Sequence, residues 1–83
     1  MGEMAAEVAA ATGVSVEALL GQSRVGEIAQ ARQALMHRAH AAGRGLSQIG
    51  RWLDRDHSTV LHGVRAHEKR YAAGEVDHLG RPT

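Results

Sequence analysis

The stretch DRDHSTVLHGVR, residues 54–65, decides the fold. Asp56, His57, Ser58 and Thr59 are small, polar or charged, and they stand just before the apolar pair Val60-Leu61. Val64 continues the apolar pattern at helical spacing, so a helix is expected to begin near Asp56. Asp56 suits its N-cap, with Thr59 at the third helical position. The same four residues, exposed at the start of that helix, would also form a surface able to read a partner. The two roles are compatible, since Asp56 can cap the helix and face that partner.

The residues just upstream sharpen the second role. LSQIGRWL, residues 46–53, reads as a short helix with Ile49 and Leu53 inward, Leu46 just before it and Ser47 as its cap. Asp54-Arg55 makes a tight turn. A short helix, a turn of about three residues and a second helix is the spacing of a helix-turn-helix. In that motif the second helix enters the major groove, and its N-terminal residues touch base edges. A carboxylate there is repelled by phosphates unless it accepts a hydrogen bond from a base, and cytosine N4 is the available donor. Ser58 and Thr59 can bond to base edges or phosphate, and free N–H groups at the helix start can meet a phosphate.

Working outward, residues 3–12 read as a helix with Met4, Val8 and Ala11 on one face, stopped by Gly13. Ser15 is the expected N-cap of a second short helix, VEALL. Residues 21–26, GQSRVG, are a loop by composition. A long helix is expected from about Glu27 to Ala42, with Ile28, Ala31, Leu35 and Ala39 on one face and Gly43 and Gly45 after it. The last helix carries Val60, Leu61, Val64 and Tyr71 inward and frays at Ala73-Gly74. The tail EVDHLGRPT has no periodicity. The expected division is a domain over residues 1–73 and a flexible tail over residues 74–83.

Composition limits the alternatives. Eighty-three residues make one small domain, with net stability of about 5 kcal/mol. There is no cysteine, so neither a disulfide framework nor a zinc–cysteine site is available. No apolar run approaches the ~20 residues of a membrane span, and no signal peptide is evident. β-branched residues are few and Ala is abundant, which favours helices over a sheet. The net charge is only +1, but it is uneven. Residues 1–23 carry Glu3, Glu7 and Glu17 with no Lys or Arg. Residues 24–70 carry nine basic residues against Glu27, Asp54, Asp56 and Glu68. A basic segment beside an acidic one is a mild sign of a polyanion partner.

Three segments, in order, resemble the C-terminal DNA-binding domain (domain IV) of the bacterial replication initiator DnaA. They are GVSVEALLGQSR at residues 13–24, IAQARQALM at 28–36 and LSQIGRWLDRDHSTVLHGVR at 46–65. The last is the most specific, since RDHSTVLH differs from the family string only by Ser58 where Thr is usual. The resemblance spans residues 8–70. It implies an all-α, Trp-repressor-like domain of about five helices that binds double-stranded DNA. By position it implies that Arg55, Asp56, His57, Ser58 and Thr59 read bases and phosphates in the major groove. It makes Arg24 the loop residue that enters the minor groove, and Ser47 and Gln48 backbone contacts. Arg44 and Arg51 are phosphate partners on charge alone.

The departures are as informative. The family loop is a cluster of Lys and Arg, whereas here it is QSRVGE, with Arg24 alone and Glu27 close by. Leu53 stands where Phe is frequent, and Asp54 where Gly is frequent. No G-x-x-x-x-G-K-[ST] loop is present, so no ATP chemistry is expected from this chain. These features favour the DNA-binding module of a DnaA-like transcription regulator over the origin-binding domain of an initiator. A protein-interaction domain with a degenerate DNA surface is the rival class. Candidate protein partners are the rest of a larger initiator or regulator, or the transcription machinery. The expected location is the cytoplasm, on the nucleoid, with no membrane contact. No cofactor is expected. His37 and His40 at i, i+3 are the nearest thing to a metal pair, but no Cys accompanies them and they are read as solvated or phosphate-facing. Trp52 is expected to cover the edge of the core. No nucleophile–base pair stands out, so no enzymatic activity is expected.

Overall fold

The computed structural model describes residues 1–83. Five helices follow in order: α1 (Gly2–Thr12), α2 (Val16–Leu20), α3 (Gly26–Ala41), α4 (Leu46–Leu53) and α5 (His57–Ala72). The fold is all-α, as the composition and the resemblance imply.

The local signals act where the sequence places them. Gly13 ends α1 in the left-handed region at φ 77°, and its N–H donates to the Ala9 carbonyl at 2.9 Å. Ser15 caps α2, its Oγ accepting from the Ala18 N–H at 3.1 Å. Asp56 caps α5, its carboxylate accepting from the Thr59 N–H at 2.9 Å. Ser47 does not cap α4. The N-cap is Gly45, whose extended backbone lets its carbonyl accept from the Ile49 N–H at 3.0 Å, so the helix starts one residue before Ser47.

Helix α3 lies at the centre and packs against all four other helices. Its buried side chains are Ala31, Arg32, Ala34, Leu35, Met36 and Ala39, and three of those six are alanines, so neighbouring backbones come close. The core closes around it with Met4 and Val8 of α1, Leu19 of α2, Ile49 and Leu53 of α4, and Val60 and Val64 of α5. Trp52 is half-buried against the edge of this core, as expected. Tyr71 is not inward: it is 50% exposed. His67, three residues after Val64, takes the inward position instead and is fully buried.

Two glycines set close approaches. A Cβ on Gly63 would run into the Met36 thioether, so Met36 lies over α5 where a side chain would otherwise stand. A Cβ on Gly50 would overlap the Arg55 carbonyl oxygen. The Gly50 carbonyl also accepts from the Arg55 N–H at 2.8 Å, and Asp54 closes α4 in the left-handed region at φ 56°, ψ 50°. This tight passage from α4 to α5 sets the helix-turn-helix angle.

The tail expected to be flexible is instead folded against the body. Val76 is buried and bridges to Pro82. The Asp77 carboxylate accepts from the N–H groups of Leu79 and Arg81 at 2.9 Å each, and Leu79 packs on the core. A turn stapled by two apolar residues has neither helical nor strand periodicity, so the sequence pattern does not announce it.

Two expectations follow. Gly50→Ala forces the turn apart and is expected to lower stability by about 1–3 kcal/mol in urea titration, whereas an exposed-site change such as Gln30→Ala leaves it within error. His67 has no hydrogen-bond partner on either ring nitrogen. Burial pushes its pKa below the ordinary 6.5, and the nearby His37 and Arg70 push the same way. The unfolded chain therefore takes a proton that the folded one refuses as pH drops below 6.5. Stability is expected to fall through that window by up to about 1.4 kcal/mol per pH unit. His67→Leu should flatten this slope; an unchanged slope in the variant would show that other groups produce it.

Candidate nucleic-acid interface

The exposed arc of α4 carries Ser47, Gln48 and Arg51, opposite the buried Ile49 and Leu53. Arg44 stands exposed in the connection just before α4. On α5, His57, Ser58 and Thr59 form an exposed first turn immediately after the Asp56 cap. Arg24 is exposed in the connection between α2 and α3. Nine of the ten candidates from the sequence are thus solvent-facing, on α4, the start of α5 and two connections.

Asp56 is an ionised cap. The Thr59 N–H bound to its carboxylate holds its pKa below the usual carboxylate range against the opposing effect of desolvation, helped by the Ser58 N–H and the nearby His57. Its Oδ1 is committed to Thr59, and the carboxylate is otherwise open to solvent.

Arg55 is the exception among the ten. It is half-buried, and its guanidinium donates to the carbonyls of Leu53 at 2.6 Å and Gly21 at 2.8 Å. Its geometry ties the turn before α5 to the α2–α3 connection, 34 residues away in sequence. A second guanidinium, missed in the sequence, reaches the same connection. Arg32 of α3 is 4% exposed and donates to the carbonyls of Leu19 at 2.7 Å, Ser23 at 2.9 Å and Ala18 at 2.9 Å. Burial lowers the Arg32 pKa, and the neighbouring Arg55 charge adds to the effect. Arg32 was hidden in the sequence because it interrupts an apolar face, where periodicity counts it as a defect.

A polar groove of about 350 Å³ opens between this connection and α5. Gln22, Ser23, Arg24, Arg32, Arg55 and Thr59 line it. No Asp or Glu lines it, so an anion entering it meets three guanidiniums and no carboxylate.

The cations divide into two sets. Arg32, Arg38, Arg55, Arg70 and Arg81 have protein partners. The side chains of Arg24, Arg44, Arg51, Arg65 and Lys69 make no hydrogen bond or ion pair, and all five are exposed. On α5, Ser58, His62, Arg65 and Lys69 fall at i, i+4, i+7 and i+11, a stripe opposite Val60, Gly63, Val64 and His67. The stripe extends the candidate surface beyond the first turn. The recurrence was legible in the sequence but lay past the motif that drew attention.

The histidines are arranged otherwise than a metal site. His40 Nδ1 bonds to the Arg44 carbonyl at 3.1 Å, at the end of α3. His37 turns away to His67, with ring centroids 4.8 Å apart, and its Nε2 lies 3.8 Å from the Glu68 carboxylate.

Asp56 can be tested as reader and cap separately. Asp56→Asn keeps a capping oxygen but removes the charge and adds donors. Its melting temperature is expected to stay near the parent's, while the preferred base facing residue 56 changes. Asp56→Ala should lose both. If Asp56→Asn binds DNA with the parent's preference, the carboxylate is a cap only.

A family model described as "Bacterial dnaA protein helix-turn-helix" matches residues 2–66. The match takes in all of α1 to α4 and the first ten residues of α5. Comparison with curated proteins and with solved structures returned no significant match. No helix is long and apolar enough to cross a membrane.

Proposed function

The chain belongs to the bacterial DnaA helix-turn-helix family of DNA-binding domains, and on that premise we propose that it reads a specific double-stranded DNA sequence. The first turn of α5 enters the major groove, where His57, Ser58 and Thr59 meet bases and phosphates. The α2–α3 connection brings Arg24 to the adjacent minor groove. Ser47, Gln48, Arg51 and Arg44 secure the backbone from the α4 side. The observation that carries this reading is that Arg24, an exposed cation without a protein partner, lines one groove with Thr59 of the first turn of α5, while Arg51, also unpaired, is exposed on the preceding helix of the helix-turn-helix. Five exposed cations without protein partners are free to meet phosphates.

The role we favour is the DNA-binding module of a DnaA-like transcription regulator, in the cytoplasm and on the nucleoid. One cation in the α2–α3 connection, with Glu27 at the start of α3, is a lighter grip than the basic cluster of the initiators. A lighter grip on the backbone leaves more of the affinity to base contacts. The domain's work is recognition, not catalysis.

The reading is tested by selecting duplexes from a random pool and measuring affinity by fluorescence anisotropy across salt concentrations. A defined motif is expected. The slope of log affinity against log salt is expected to lie roughly between −3 and −5, from about one counterion per cation engaged. Arg51→Ala should lower that slope by about 1 without changing the motif, whereas Ser58→Ala should cost about 1–3 kcal/mol at one base step. No motif and a flat salt response would assign the surface to a protein partner instead.

A further inference from the structure

We propose that Arg32 is a positioning residue for DNA recognition. Together with Arg55 it holds the connection over residues 21–25, and with it Arg24, at a fixed place beside the first turn of α5. The proposal rests on the reading above, since it acts through Arg24.

The connection has little else to hold it. No residue from Leu20 to Glu27 is buried, so side-chain packing cannot fix its course. Its own hydrogen bonds are few: the Gly21 N–H to the Ala18 carbonyl at 3.2 Å and the Val25 N–H to Ser23 Oγ at 3.2 Å. A chain held only so would sample many conformations, and ordering it on DNA would cost affinity. The two guanidiniums supply the missing ties. Arg32 takes the carbonyls of Ala18 and Leu19 in the last turn of α2 and of Ser23 in the connection. Arg55 takes that of Gly21. The anchors are themselves rigid. Arg32 springs from the middle of buried α3, and Arg55 immediately precedes the Asp56 cap. The minor-groove residue and the major-groove helix are therefore tied to one frame.

The chemistry asks for Arg at position 32. Three carbonyls on three different residues are met by Nε, Nη1 and Nη2 of one planar group at 2.7–2.9 Å. A lysine ammonium is a point on a flexible stem and cannot span them. Stability alone would not favour this solution. Arg32 and Arg55 approach each other with no carboxylate on either, and a buried charge without a counter-ion is expensive.

The experiment compares Arg32→Lys, Arg32→Met, Arg24→Ala and the Arg24→Ala/Arg32→Lys double variant on the duplex that the parent protein selects. Circular dichroism and melting temperature report the fold of each. Arg32→Met keeps the aliphatic stem and removes the buried charge, so it serves if the lysine variant fails to fold. Either Arg32 variant is expected to bind about tenfold more weakly, as coupled contacts of this kind do. It should lose preference at the base positions that Arg24→Ala also loses, and at no others. The double variant should bind no more weakly than Arg24→Ala alone. An even loss across all positions, additive effects or an unchanged motif would overturn the positioning role while leaving the DNA reading intact. An Arg24→Ala variant that matches the parent at every position would overturn both the positioning role and the minor-groove assignment.

Discussion

Met36 lies over Gly63, and the close approach of α3 and α5 at that contact sets the position of everything that faces outward. With no side chain at position 63, α5 settles against a helix half of whose buried residues are alanines. Val60, Val64 and His67 then point inward, and Ser58, His62, Arg65 and Lys69 must point out. The same seating fixes where α5 begins. Gly50 admits the Arg55 carbonyl, so the turn from α4 is tight and the Asp56 cap falls at a defined place. The candidate reading surface is thus a consequence of core packing rather than a separate construction.

Charge is organised by the same frame. Arginines beside the core are hydrogen-bonded within the fold: Arg32 to α2 and the α2–α3 connection, Arg55 to that connection and the end of α4, Arg70 to Gln33 at 2.5 Å, and Arg38 to the Glu7 carboxylate at 3.1 Å. Arg24, Arg44, Arg51 and Arg65, on the outer surface, have no partner. Glu7 lies on α1 with Glu3, and Glu17 lies on α2, so the acidic beginning of the chain is on helices other than the one that carries the stripe. A net charge of +1 is compatible with a polyanion partner because nine of the ten basic residues fall in residues 24–70 against four acidic ones.

Much of this was legible in the sequence where one residue acts alone. Gly13, Ser15 and Asp56 each work through their own backbone neighbours, and each takes the expected role. The alternation of Val60 and Val64 with polar residues gave the inner face of α5, and the family resemblance gave the helix order. What was not legible depends on partners distant along the chain. Arg32 meets carbonyls 9, 13 and 14 residues away, and Arg55 meets one 34 residues away, so a residue read as a DNA contact turns out to be tied to backbone. His67 reads as one more polar residue until the core is assembled around it. The tail shows no period, and its burial of Val76, its turn around Asp77 and its close approach to Ala34 and Thr12 at Gly80 reveal that it is folded. Ser47 looked like a cap because hydroxyls often are; Gly45 took the place because its backbone already had the required extended geometry.

The central claim is that the exposed beginning of α5, the outer arc of α4 and the α2–α3 connection form one DNA-binding surface. Backbone amide chemical shifts, followed residue by residue as the selected duplex is titrated into labelled protein, test it most directly. The account predicts the largest changes at residues 22–25, 47–51 and 56–62, with α1 and residues 74–83 little changed. Changes concentrated on α1 and α2, with residues 56–62 unmoved, would contradict it.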